Sequence, residues 1–279
     1  MRSVTVAALV CAAAISAASP AAAAVTIGQV APPEGVATNC PGIATDVLQP
    51  SVTGGAHLYV AKQAGTITSW STRAAAGPDQ SYTLKVFRRT TDPDIFRVIG
   101  HSGPHTLGSG LNTFPASVPV SSGDLLGFNV NGAANACTFD VPGDSVLVRT
   151  GNLADGASGT FTPLADSRLN LSAVLVPTNG FSFGAVTRDR RTGTATLEIQ
   201  LSNPGAVTLS GKGLKKTGRR TKTVAVASTV RFGVAAGGGR KKKLNRKGEV
   251  SVRLAATFTP TGGDPATQTI QLKLKKKRA

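Results

Sequence analysis

The chain is poor in the residues that carry most enzyme chemistry. Its 279 residues include three His, three Cys, two Tyr, one Trp and one Met. Three imidazoles leave little from which to assemble a His-rich zinc centre or a nucleophile–base relay. Aromatic residues make up 5% and are not interleaved with the basic stretches, which argues against a stacking platform for single-stranded nucleic acid. Helical periodicity is nearly absent, and after residue 24 no apolar run is long enough to cross a bilayer. Acidic residues are scarce in one region only. Residues 181–279 hold four against 22 Lys and Arg, whereas residues 25–180 hold ten against eight. The formal charge of +17 is thus a property of the last third, and it marks a boundary near residue 180.

The beginning of the chain reads as an export signal. Met1 and Arg2 precede an apolar stretch from Val4 to about Ala18, followed by Pro20 and the run Ala21 to Ala24. That order predicts a signal peptide over residues 1–24, with small residues at 22 and 24 suited to a peptidase and Val25 as the new N-terminus. The apolar core is too short for a durable span. Cys11, inside it, follows Val10 rather than the small residue that precedes a lipid-modified Cys, so neither a transmembrane nor a lipid anchor is expected. Cleavage leaves Cys40 and Cys137, which an oxidising exterior would join as the one intramolecular pair. Closing so long a loop would stabilise the fold by at most about 4.7 kcal/mol in the chain-entropy view.

Between residues 25 and 177, short alternating segments alternate with turns such as Gly54-Gly55, Gly77-Pro78-Asp79, Asp92-Pro93-Asp94 and Ser122-Gly123-Asp124. Strands are expected near 26–30, 56–61, 65–71, 80–88, 95–101, 124–130, 136–140, 145–150 and 169–176. So many strands without helices predict a jelly-roll-like β-sandwich. In the fourth segment Tyr82, Leu84 and Val86 share one face, so Thr83, Lys85 and Phe87 share the other, and Phe87 implies that this strand is covered on both sides. Residues 181–279 alternate more cleanly, as in Ala195, Leu197, Ile199 and Leu201, or Val250, Val252, Leu254, Ala256 and Phe258. About six strands in this length predict a smaller immunoglobulin-like β-sandwich without the Cys and Trp marks of antibody domains.

Four segments of this second region carry a resemblance: Phe181-Ser182-Phe183-Gly184, Gly193-Thr194-Ala195-Thr196-Leu197, the stretch from Gly205 to Gly213, and Phe258-Thr259-Pro260-Thr261-Gly262-Gly263. They resemble a Lys-rich C-terminal module of uncharacterised secreted and cell-surface proteins of high-GC Gram-positive bacteria. The resemblance covers about a third of the chain and implies an Ig-like accessory module rather than an enzyme; it assigns no functional residues. The first region resembles the extracellular jelly-roll domains of the same kind of protein.

Counting six antiparallel strands distributes the basic loops between two ends of the second sandwich. Arg188, Arg190 and Arg191 with Lys212, Lys215, Lys216, Arg219 and Arg220 fall at the end far from the first domain. Arg240, Lys241, Lys242, Lys243, Arg246 and Lys247 fall at the near end, with the tail Lys275, Lys276, Lys277 and Arg278. All of these but Arg246 and Lys247 are the candidate contacts to anionic cell-wall or matrix polymers, and any nucleic-acid contact would be non-specific.

Other constellations are thinner. Gly100-His101-Ser102-Gly103 begins like a nucleophile elbow, but Pro104 replaces the final Gly and no helix follows. His101 and His105 are four apart across Gly103 and Pro104, and a zinc site would need His57 or an Asp as third ligand. Asp92, Asp94, Asp140 and Asp144 form a candidate calcium set without EF-hand spacing. Trp70, placed by alternation on the face of Thr66 and Thr68 opposite Ile67, is a candidate glycan platform. The expectation is therefore a secreted, non-enzymatic binding or structural protein held to anionic polymer. The alternative is a carbohydrate-binding protein using the jelly-roll domain, and a hydrolase comes third. No cofactor is expected apart from the candidate calcium.

Overall fold

The computed structural model describes residues 23–33, 44–53, 59–77, 80–131, 137–215 and 220–277. Residues 1–22 of the expected signal peptide, Cys40, His57, Lys216, Arg219 and Arg278 lie outside the described residues.

The protein is all-β. In the first domain, β1 (Val25–Gln29), β3 (Gly65–Ala74), β6 (Gly110–Val120) and β11 (Leu171–Pro177) form one antiparallel sheet in the order β1-β11-β3-β6. Facing it, β2 (Thr45–Ser51), β4 (Ser81–Arg89), β5 (Ile95–Thr106), β7 (Leu125–Asn131), β8 (Thr138–Thr150), β9 (Ser158–Thr160) and β10 (Thr162–Leu169) are ordered β10-β8-β2-β7-β4-β5-β9. The order β1-β11-β3-β6 against β2-β7-β4-β5 is that of a jelly roll, with β8 and β10 extending one flank and β9 the other. Ile67, Trp70, Tyr82, Leu84, Val86, Phe128 and Leu171 fill the space between the sheets, and Tyr82 stacks on Phe128 at 4.8 Å. Burying each such side chain contributes about 1.5–3 kcal/mol.

Four strands, β2, β6, β9 and β10, fall outside the expected segments, and two of them show different reasons. β6 contains Pro115 and Pro119, which read as breakers, yet it lies at a sheet edge, where a residue without an N–H costs no internal ladder bond. β2 is buried from Thr45 through Gln49 and so shows no alternation. Its second face is covered because the segment after β8 folds back over the seven-stranded sheet. Leu48, Phe87, Phe96, Val98, Leu125, Leu153 and Phe161 form a second small core there, as the two-sided β4 implies.

The second domain pairs β12 (Phe181–Asp189), β13 (Thr194–Leu201) and β16 (Ser228–Ala235) in the order β12-β13-β16. The opposing sheet contains β14 (Gly205–Gly211), β15 (Thr221–Val224), β17 (Glu249–Pro260) and β18 (Ala266–Lys275) in the order β15-β14-β17-β18. Among the described residues this is a seven-stranded Ig-like sandwich around Leu197, Ile199, Val207, Phe232, Val252, Leu254 and Phe258. The alternating run 224–234 is two strands separated by a bend, not one. A helix, α1 (Gly238–Lys247), replaces the expected basic loop between β16 and β17.

The domains meet through polar contacts. Ala64 N–H donates to the buried Asn203 Oδ1 (2.8 Å), and Asn203 Nδ2 donates to the carbonyls of Ala64 (2.9 Å) and Thr178 (2.7 Å). Gln63 Nε2 donates to the Thr261 carbonyl at 2.9 Å.

Candidate anion-binding pole

Seven strands change the parity of the second domain. The connections 202–204, 225–227 and 261–265 lie at the end that faces the first domain, where Gln63 meets Thr261 and Lys62 lies beside Val224 and Ala225. The turn 190–193, the described loop residues Lys212 to Lys215 and Arg220, α1, and Lys276 and Lys277 after β18 all lie at the opposite end. The expected division into two basic poles is therefore overturned: β15 sends the chain back once more, and all these basic segments share one distal pole.

Backbone bonds tie the segments together. Lys277 N–H donates to the Arg190 carbonyl (2.7 Å), Lys276 N–H to Gly248 (2.7 Å), Gly237 N–H to Gly213 (2.7 Å) and Lys215 N–H to Ala235 (2.9 Å). Arg220 donates to the Lys215 carbonyl, Arg240 to the Ser251 carbonyl, and Arg188 Nε to the Lys273 carbonyl at 3.0 Å. Arg190, Arg191, Lys212, Lys215, Lys241, Lys242, Lys243, Lys275 and Lys277 are exposed.

α1 contributes both charge and position. It has no acidic residue in its first turn and no side-chain cap at Gly237, and Arg240, Lys243 and Lys247 recur at i, i+3 and i+7 on one side. Like charges at this spacing oppose the helix. What holds it is Leu244, the buried member of α1, together with Gly248 in the left-handed conformation, whose N–H donates to the Leu244 carbonyl at 2.8 Å. Gly193 accepts Leu244 closely: a Cβ there would lie 2.8 Å from Leu244 Cδ2, and its φ of 76° suits glycine. The motif Leu244 within a Lys/Arg run followed by Gly248 is a helix-end signal legible in the sequence, though alternation elsewhere masked it.

Among the clefts of this pole, two are lined by α1 or the tail. One of about 740 Å³ is lined by Gly213, Leu214, Lys215, Gly237, Gly238, Gly239, Arg240 and Lys243. The positive end of the α1 dipole adds to the side-chain charges here. The other, about 270 Å³, lies among Arg190, Lys247, Gly248, Glu249, Lys275, Lys276 and Lys277. The two acids at the pole are engaged locally. Asp189 accepts from Thr192 Oγ1 (2.7 Å) and from the N–H of Arg191 (2.8 Å), which hold its carboxyl below the usual range. Glu249 is held low by Lys273 at 2.9 Å. The arrangement is chemically fitted to phosphate, sulfate or carboxylate groups repeated along a chain, met by Lys point charges rather than by a closed pocket.

The remaining candidates are placed differently. Trp70 is fully buried, not a platform: a bulge between Ile67 and Ser69 shifts the phase of β3, so Trp70 joins Ile67 inside and packs on Phe114 at 4.9 Å. Ser102 and His105 lie within β5, with Ser102 Oγ 3.4 Å from His105 Nε2, while His105 stacks on Phe114 and His101 Nδ1 pairs with Asp155 at 2.9 Å. The histidines thus turn to different partners. Asp92 Oδ1 accepts from the Asp94 N–H in a surface turn. Asp144 is buried and taken by Arg168 and Thr53, so it is unavailable to the candidate calcium set. Among the described residues no three His, Cys, Asp or Glu side chains gather as a metal site. Cys137 is buried, with its sulfur 3.3 Å from Tyr82 Oη.

No protein-family model and no curated protein matches the chain.

Proposed function

We propose that this is an exported, non-enzymatic protein of the cell exterior whose second domain holds it on an anionic wall or matrix polymer. The observation that carries the reading is the convergence of every strongly basic loop of the second domain on the pole farthest from the first. Such a pole leaves the jelly roll projecting away from the bound polymer. Cleavage after Ala24 and a Cys40–Cys137 disulfide belong to the same reading. Because binding rests on exposed Lys and Arg, it releases counterions and is salt-sensitive. Retention of the purified protein on isolated walls or immobilised polyphosphate across a sodium chloride series tests this. Loss of retention with rising salt is expected; retention indifferent to salt refutes the reading.

A further inference from the structure

The charged network under the second small core has no part in binding at the distal pole. Lys85 on β4 and Asp46 on β2 flank β7, and both side chains are almost wholly buried (3% and 0% exposed). Lys85 Nζ donates to Asp46 Oδ1 (2.7 Å), to Asn152 Oδ1 (2.6 Å) and to the Leu153 carbonyl (2.7 Å). Asp46 Oδ1 also accepts from Asn129 Nδ2 (2.8 Å), and Oδ2 accepts from the Leu153 N–H (2.9 Å). Asn129 Nδ2 further donates to the Gly151 carbonyl at 3.1 Å, fixing the residue before Asn152. The Lys85 amine thus touches a carboxylate and a carboxamide at once, below the small core of Phe87, Leu153 and Phe161.

We propose that Lys85 and Asn152 form an intramolecular isopeptide bond, with Asp46 carrying the proton. The 2.6 Å hydrogen bond from Nζ to Oδ1 sets the amine one bond beyond the carboxamide carbon, and rotation of the Asn152 side chain to turn its carbonyl face toward Nζ completes the near-attack geometry. Burial disfavours the ammonium form of Lys85 despite the opposing pull of Asp46, so proton transfer to the carboxylate leaves a neutral nucleophile. Nζ then attacks Cγ of Asn152, the N–C bond forms, and negative charge develops on Oδ1. Asp46 delivers its proton to the departing Nδ2 as the Cγ–Nδ2 bond breaks, and the surplus proton on Nζ passes through the same carboxylate to the released ammonia. In sum, the Lys85 ammonium and the Asn152 carboxamide become one secondary amide and one ammonium ion. No oxidant, metal or other co-reactant enters. Asn152 is itself exposed, which gives the leaving nitrogen a path to solvent. The product staples the segment after β8 to the centre of the seven-stranded sheet.

Peptide mapping of the purified full chain tests this directly. Trypsin should yield residues 74–88, uncut at Lys85, branched to residues 150–168, with the loss of one ammonia from the summed mass. Asn152→Ala, a surface change, and Asp46→Ala should each return the missing ammonia to the intact mass and release linear 74–85. An ammonia loss confined to an unbranched 150–168 peptide means a succinimide at Asn152 and overturns the proposal. So does recovery of linear 74–85 and unmodified 150–168 from folded protein after prolonged incubation. The wild-type map decides the matter even if Asp46→Ala fails to fold.

Discussion

Replacing Lys215, Lys243 and Lys277 with Gln asks whether the basic segments act as one surface. The three belong to the β14–β15 loop, α1 and the tail, and all are exposed, so neutralising them removes charge without opening the core. A contact with one phosphate of a flexible polyanion contributes about 0.7 to the slope of log K against log salt, so losing three lowers the slope by about 2. At 0.15 M salt that weakens binding roughly 50-fold. Fluorescence anisotropy with labelled polyphosphate at several sodium chloride concentrations reads both quantities. Lys62, Arg89 and Arg97, also exposed but on the first domain, supply the control triple. If the control triple loses as much affinity as the pole triple, or if the pole triple leaves the slope unchanged, then net charge alone is responsible and the pole is not a site.

Further outcomes follow from particular contacts. Leu244→Ala removes the buried anchor of α1 and should destabilise the second domain by about 2–5 kcal/mol in urea unfolding; a change near zero would show that α1 is held by something else. Burial alone would raise the Asp144 pKa, but Arg168 and Thr53 outweigh it and hold the carboxyl below its ordinary value. The unfolded chain therefore binds the proton more readily, and this stabilisation is full above about pH 3.9 and lost as pH falls through the folded pKa. Asp144→Asn should accordingly flatten the acid limb of the urea midpoint against pH, and an unaltered limb would count against the pairing. Asn203→Ala strips the Ala64 N–H of its acceptor at the domain junction, a cost of about 1–3 kcal/mol, and calorimetry should show the two domains melting further apart.

Much of the first domain is legible because alternation reports a strand with one wet face. Where that condition fails, the reading fails. β2 is buried on both faces, and its Thr45-Asp46-Val47-Leu48-Gln49 run gives no period. β6 alternates, but Pro115 and Pro119 mimic turns, and only its edge position makes them tolerable. Trp70 is the instructive case: its face follows from Ile67 by simple counting, and a bulge at Thr68, which no residue pattern announces, reverses it. The Lys85 network is half legible. The outward direction of Lys85 and the cover over Phe87 can be read from β4, but Asp46 and Asn152 reach Lys85 only through the jelly-roll order.

The pole shows how a small local omission becomes a global one. β15 is four residues long, and its alternation merges with that of β16 across Ala225-Val226-Ala227. Overlooking it leaves the charges, the sandwich and the turns intact, yet moves α1 and the tail to the wrong end, since each antiparallel strand reverses the chain. The consequence is physical as well as topological. Two poles of lesser charge, one beside the first domain, would suit a bridge between surfaces. One pole, with Lys215, Lys243 and Lys277 brought together from distant parts of the chain, concentrates the field at a single end. That concentration has a structural cost visible in α1, whose like charges at i, i+3 and i+7 oppose the helix and whose first turn has no acid to offset them. A polyanion laid across the pole supplies the missing counter-charge, so binding and the order of α1 should strengthen together.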